Sequence, residues 1–392
     1  MSFLMDYPLP PEAKAFQQEV RRFVSAEMTH ALTEELESGE WGTGQGPLGR
    51  KFLKKLGEKK WLGLTWPVEY GGLGKTFMHK FALTEELDYR HAPWPGMGSF
   101  VVGPCLMMFG TPEQKKTYLP KIAAGEWLFA LGYTEPNAGS DLASLSLSAV
   151  EDGDDFVLNG QKIFQSESHS ADFVWLAART DATVAKHKGI SLFIVPTHSK
   201  GMTLQPMYTM SGHRNNVVYY DNVRIPKGNL VGEKNKGWYY VAAALDLERI
   251  FPIGGLMRDV EELIAFAKSP HGGNPPALHG AVLRNRISQI LIEAHVLRTH
   301  AFRVAWMQDQ GQVPNIEASI QKILIREMYQ RVATLAYQAL GQYGQVRGGH
   351  PLAVLQGKFE LMSRHSPIMT ITAGSSEIQR NIIATRGLGL PR

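Results

Sequence analysis

The chain has 392 residues, 44% hydrophobic and 20% charged, with a formal net charge of +4. That length accommodates two or three domains with an ample core, and that composition excludes a disordered chain. The mild positive balance suits a phosphate-bearing ligand, but no lysine- or arginine-rich tract points to nucleic acid, and no apolar run approaches the roughly 20 residues of a membrane span.

The first third predicts helices. Behind Pro11, Ala15, Phe16, Val20, Phe23 and Val24 recur near helical spacing to about residue 27. Phe52, Leu53 and Leu56 form a second stripe, residues 77–89 a third, and Thr111-Pro112-Glu113 opens a fourth that ends near Gly125. Cys105, the single cysteine, excludes an internal disulfide and reads as a core residue in a reducing compartment.

From residue 128 to 232 the pattern changes to alternation punctuated by turns. Residues 133–141, YTEPNAGSD, form a turn: Pro136 fixes its own φ, Gly139 permits a left-handed residue, and Asn137, Ser140 and Asp141 can bond back to the chain. Phe156-Val157-Leu158, Asn159-Gly160 and Lys162-Ile163-Phe164 predict a hairpin turning at Asn159-Gly160. Residues 173–178, 190–195 and 217–220 are further strands. Two hydroxyls, on Thr134 and Ser166, and the flat ring of Phe164 would suit a flavin, although an ordinary strand–turn–strand reads the same way.

Helical periodicity returns over 238–267, 277–310, 315–340 and 351–364, and a last helix starts at Ser375 or Ser376 as N-cap. Pro252 should kink the first of these, with Gly254 and Gly255 loosening it further. The expectation is an α+β multidomain chain: an all-α domain at 1–127, a barrel- or sandwich-like β-domain at 128–232 and a helical bundle at 233–392. Gly44 to Gly49 matches G-x-G-x-x-G, but an acidic helical segment precedes it where a strand is required, so it reads as a loop. The thirteen histidines lack metal-ligand spacing, so no metal is expected.

TEPNAGSD, the GQKIF downstream, WLGLTWPVEYGGLG at 61–74 and AGSSEIQRNIIATRGLGL near the C-terminus together resemble the acyl-CoA dehydrogenase family, in the family's order. The resemblance implies FAD, an acyl-CoA substrate, and a base that takes the α-proton while the β-hydride passes to the flavin. Many members place that base as a glutamate on the loop before the last helix, where this chain has Ala373. Isovaleryl-CoA dehydrogenase and long-chain relatives place it on a bundle helix instead, in a pattern similar to Leu245-Asp246-Leu247-Glu248-Arg249-Ile250 here, which implies Glu248 as base. Read alone, Glu248 also fits a surface ion pair with a helical neighbour; its apolar surroundings would raise its pKa.

Further roles follow from the same resemblance. The backbone N–H of Ala373, with the flavin ribityl 2′-hydroxyl, would hold the thioester oxygen, and Gly374 would admit the substrate closely. Asp246 and Arg249 match pantetheine contacts. Ser140 matches a residue touching flavin and substrate, Thr134 and Ser166 the flavin edge, and Leu131 and Tyr133 its surroundings. Phe164 stands where tryptophan is usual. Ser375 and Glu377 match contacts near the adenosine half. Gln338 and Gly341 resemble Q-x-x-G-G, which reaches the FAD of a neighbouring subunit, with Gln342 in place of the second glycine.

Near 270–285 the family's R-x-x-F-G is missing, and Arg284 or Arg286 could replace its pyrophosphate-binding arginine. The departure resembles bacterial members of heteromeric assemblies, including steroid-side-chain dehydrogenases. The implied partners are therefore a related subunit or a second copy, and electron transfer flavoprotein. A flavin oxidase or monooxygenase on the same fold, and a non-catalytic partner subunit, are the alternatives. With no basic n-region or transit-like composition at the start, a cytoplasmic location is expected.

Overall fold

The computed structural model describes residues 9–41, 43–247, 252–272 and 275–391. In chain order its elements are α1 (Pro11–Glu27), α2 (His30–Glu37), α3 (Pro47–Glu58), α4 (Phe77–Tyr89), α5 (Gly103–Phe109), α6 (Pro112–Ala123), β1 (Phe129–Gly132), β2 (Ser148–Asp152), β3 (Asp155–Lys162), β4 (Phe173–Arg179), β5 (Ile190–Pro196), β6 (Met202–Tyr208), β7 (Arg214–Pro226), β8 (Leu230–Val231), α7 (Gly237–Leu247), α8 (Gly254–Ala267), α9 (Ala281–Asp309), α10 (Asn315–Leu340), α11 (Lys358–Met369) and α12 (Ser376–Ile382). This is a helical beginning, a β-sheet middle and a helical end. The described residues fall into two compact units, one within Met1–Ala26, Phe77–Ala92 and Arg249–Arg392, the other within Glu27–Thr76 and Pro93–Glu248. Among them no helix is long and apolar enough to cross a membrane.

The first unit is helical. α10 packs against α8, α9, α11 and α12, with Leu263, Met328, Val332, Ala336 and Phe359 in the core. α4 is buried on all sides, charges included, so a one-sided apolar stripe describes it poorly. Its Glu85 meets Arg298 at 3.1 Å and its Glu86 meets Arg21 at 2.6 Å, as buried carboxylates require. The single helix expected over 238–267 is two: α7 is described to Leu247, α8 begins at Gly254, and Pro252 and Ile253 stand outside both. The start of α8 is held by carboxylates from α4, with Ile253 N donating to Glu85 at 3.2 Å and Gly255 N to Asp88 at 2.7 Å.

Gly254 does not loosen a helix, contrary to expectation. A Cβ there would lie 2.4 Å from the carbonyl oxygen of Glu85, so the glycine lets two helix backbones touch. Gly254→Ala is expected to destabilise this unit by about 1–3 kcal/mol through overpacking; a chemical-denaturation midpoint equal to wild type would contradict that. The helix expected over 351–364 is displaced to α11, because Leu355, Gln356 and Gly357 before it adopt left-handed φ values of 50°, 56° and 74°.

The second unit is built on a sheet ordered β6-β7-β3-β2-β4-β5-β8, with β1 paired parallel to β4. β4 and β5 are buried on both faces and therefore read as continuous apolar runs. β6 sits at the edge, where Pro206 is tolerated. The hairpin predicted at Asn159-Gly160 is not there. β3 runs straight through both residues, its pairing with β7 shifting between Leu158 and Gly160, and the turn is Gly153-Asp154. Gly160 has φ 138°, and a Cβ on it would meet Leu147 Cα at 2.9 Å, so it is a bulge glycine at a close backbone approach. Thr111 caps α6 through a reciprocal capping box with Gln114. Cys105 is buried, which pushes its thiol up to about 12.

Candidate functional site

The turn after β1 is organised by two buried charges. Glu135 N and Ala138 N each donate to the other's carbonyl at 3.1 Å, closing Pro136-Asn137. The Glu135 carboxylate accepts from Ser146 N at 2.6 Å, Ser146 Oγ at 2.9 Å, Leu147 N at 2.9 Å and Lys162 Nζ at 2.8 Å. Lys162 also donates to the Tyr133 carbonyl at 3.0 Å. Burial alone would raise Glu135, but Lys162 and the two amides outweigh it and hold the carboxyl below its ordinary range. For Lys162 burial wins, bringing the ammonium down to about 8 against the pull of Glu135. Neither residue was singled out from sequence. The available signal was a lysine on the buried parity of β3, in register with Phe156 and Leu158.

The same contact brings the second segment alongside: Ile163 N donates to the Thr134 carbonyl at 2.9 Å. Phe164 follows with φ 54° and is 54% exposed. A left-handed bulky residue persists only where neighbours hold it. Here Gln165 N and Asn216 Nδ2 exchange bonds of 3.0 Å with each other's carbonyls, and Ser166 Oγ donates to Asn215 at 2.6 Å. Glu167, also left-handed at φ 64°, is buried and accepts from Thr43 N at 2.8 Å, Thr43 Oγ1 at 2.6 Å and Gln45 Nε2. Burial raises its pKa, only partly offset by Thr43. Thr43, just before the G-x-G-x-x-G stretch, and Gln45 within it thus seat Glu167, with Gly46 capping α3, which takes in Pro47 to Gly49; α2, not a strand, precedes it. Leu131 and Thr134 are half-buried, Tyr133 is buried and Ser140 is exposed.

In the helical unit, the loop before α12 carries Ala373 at φ 53° and Gly374 at φ 83°. Ala373 is exposed. The carbonyls of Thr372, at 2.6 Å, and of Gly374 both accept from Lys322 Nζ on α10. Of the two candidate caps, Ser375 is the one used: its Oγ accepts from Ile378 N at 3.4 Å. Glu377 is exposed in the first turn of α12, where its own N–H and then the Ser375 hydroxyl hold the carboxyl below its ordinary range. A cleft of about 710 Å³ is lined by Arg286, Gln330, Arg331, Gln338, Ser376 and Glu377 among others. In it Arg286 Nη1 donates to Gln338 at 2.6 Å, whereas Arg284 turns to the Leu278 carbonyl at 3.5 Å. Gly341, at φ 58°, ends α10. Asp246 stands in the last turn of α7, but its side chain, and all of Glu248 and Arg249, lie outside the described residues.

The sheet unit therefore collects Leu131, Tyr133, Thr134, Phe164 and Ser166, and the helical unit separately collects Gln338 and Glu377 at one cleft. Among the described residues no cluster of histidine, cysteine and carboxylates could hold a metal ion. An exposed aromatic face flanked by hydroxyls would suit the ring system of FAD, and the cleft would offer Arg286, Gln338 and Ser376 to a polar tail, although Glu293, Glu327 and Glu377 also line it and Arg331 is paired with Glu293.

Three family models match the chain: "Acyl-CoA dehydrogenase, N-terminal domain" over residues 10–126, the middle domain over 130–223 and the C-terminal domain over 235–388. Acyl-CoA dehydrogenase FadE26 of Mycobacterium tuberculosis is 37% identical, covering 97% of this chain and 98% of that protein. The solved "Tcur3481-Tcur3483 steroid ACAD" is 37% identical with a TM-score of 0.91, covering 99% of this chain and 100% of that one. The ChsE4-ChsE5 complex from Mycobacterium tuberculosis is 35% identical with a TM-score of 0.89, covering 100% of both chains.

Proposed function

The chain belongs to the acyl-CoA dehydrogenase family, an oxidoreductase group acting on acyl-CoA, and from that premise we propose that it desaturates a ring-bearing or branched acyl-CoA to the trans-2-enoyl thioester with FAD and passes the electrons to electron transfer flavoprotein. The observation that carries this reading is Ala373: an exposed, left-handed residue with no carboxylate stands where many members keep their base. An alanine there leaves the oxyanion donor, a backbone N–H, intact. It moves the proton acceptor to Glu248.

In this reading Glu248 takes the α-proton, the β-carbon gives up a hydride, and the double bond forms between them. FAD, when bound, supplies the hydride acceptor. Phe164 covers the ring face, Thr134 and Ser166 bond its edge, and Leu131 and Tyr133 back it. Ser140 touches flavin and substrate. Ser375 and Glu377 lie toward the adenosine half. Gln338 and Gly341, with Arg286 in place of the missing arginine, reach the cofactor of a neighbouring subunit. Ala373 N–H holds the thioester oxygen, Gly374 admits it closely, and Asp246 and Arg249 contact pantetheine. The domains divide at about 127 and 232.

Two features support the substrate class and assembly. The break at Pro252, four residues after the proposed base, would widen the acyl cavity beside it, and the similar solved protein is described as a steroid ACAD. Loss of R-x-x-F-G and the likeness to structures named for two chains favour a heteromer with a related subunit. Anaerobic flavin bleaching by a panel of thioesters is the test. Bleaching by at least one bulky thioester is expected; bleaching by short straight-chain thioesters alone would overturn the substrate class, and bleaching by none would overturn the reaction.

A further inference from the structure

Lys322 is buried in α10, 3% exposed, and its hydrogen-bond partners are two backbone carbonyls. A buried ammonium ordinarily takes a carboxylate. This one donates to Thr372, at 2.6 Å, and to Gly374, the carbonyls on either side of Ala373. Burial, with Arg326 nearby, pushes it down to about 8, so near neutral pH it is still mostly charged.

The Thr372 carbonyl and the Ala373 N–H belong to one peptide unit, and no described peptide bond is cis. In a planar trans peptide the C=O and N–H bonds point in opposite directions and their dipoles add. A cation on the oxygen therefore turns the N–H away from α10. It also draws electron density from the nitrogen, which strengthens the N–H as a donor. Left-handed φ at Ala373, 53°, and Gly374, 83°, gives the loop a shape that needs an anchor, and Lys322 is that anchor.

We propose that Lys322 is a positioning residue for the reaction: by binding the carbonyl of the peptide that carries the Ala373 N–H, its ammonium aims and polarises that N–H toward the thioester oxygen of the substrate. This rests on the dehydrogenase reading above. It explains how an alanine serves at this position, since the side chain is irrelevant to a donor set by a lysine behind the peptide.

The test uses the flavin-loaded enzyme, with its partner subunit if it purifies with one. Lys322→Met keeps most of the length of the side chain and removes the charge. It is expected to lower kcat about 10- to 100-fold with KM within about threefold, less than the roughly 100- to 1000-fold cost of deleting an oxyanion donor. The discriminating readout is a 3-thiaacyl-CoA, whose acidic α-proton is lost on binding and whose enolate gives a long-wavelength band with oxidised flavin. Its bound pKa should rise by about one unit in Lys322→Met, because the enolate oxygen faces a weaker donor. Lys322→Arg should restore most of that pKa.

If Lys322→Met does not fold, Lys322→Gln, which keeps one donor without charge, should shift the pKa in the same direction. A fall in kcat with an unchanged analogue pKa would reduce Lys322 to a structural clamp and overturn the proposal. Wild type that neither bleaches with any thioester nor ionises the analogue fails at the dehydrogenase reading instead, before any variant is made.

Discussion

Glu248→Gln is expected to abolish flavin bleaching by every thioester that bleaches wild type, with kcat falling about 100- to 10,000-fold, the range that a positioned general base contributes. The substitution keeps size and hydrogen bonding but removes the proton acceptor, so flavin content and the affinity for a non-reacting thioester should be unchanged. Glu248 itself lies outside the described residues; α7 is described to Leu247, and the amides of Ile253 and Gly255 donate to Glu85 and Asp88. The alternative site for a base is filled by Ala373. A Glu248→Gln enzyme that bleaches at the wild-type rate would remove Glu248 from the chemistry and leave the family assignment standing.

Glu135→Gln is the second large effect. It leaves the Lys162 ammonium, 0% exposed, without its counter-charge, and breaking one partner of a buried pair costs about 3–5 kcal/mol. The damage should be local to the turn that carries Thr134 and Ser140, so flavin retention is expected to fail before global unfolding. Glu135→Leu combined with Lys162→Met removes the unpaired charge but orphans Ser146 N and Leu147 N, so it should recover only part of the stability. The acid limb follows from the sign of the shift. Glu135 sits below its ordinary value in the folded state, so its stabilisation is complete above about pH 4.5 and is lost as pH falls through the lowered folded value. Urea denaturation of wild type between pH 6 and 3 should show this loss, and Glu135→Gln should show less of it. Parallel acid profiles would sink the assignment.

Much of the helical part was legible. α1 and α4 begin and end where periodicity placed them, and α3 and α6 lie over their predicted stripes, with Pro11 and Pro112 at first-turn positions and Thr111 as a cap, whereas Pro47 to Gly49, read as loop, open α3. Within the sheet, β4 and β5 were legible as apolar runs. The hairpin was misplaced because Asn159-Gly160 carries a turn signature but serves as a bulge, while Gly153-Asp154 just upstream makes the turn. β1, β2, β6 and β8 were missed. Two of them are very short, and β6 carries a proline that only an edge position tolerates.

Local spacing determined the starts of α1, α4 and α6, the strand-rich middle and the motifs that resemble the family, because each depends on residues a few positions apart in the chain. What only the tertiary structure decided are the partners of buried charges. Glu135 finds Lys162 27 residues on, Lys322 finds the Thr372 carbonyl 50 residues on, and Glu85 finds Ile253 168 residues on. A periodic pattern reports which face of an element avoids water. It carries no information about which distant group a desolvated charge must meet, and that demand is satisfied only once the chain has folded back on itself.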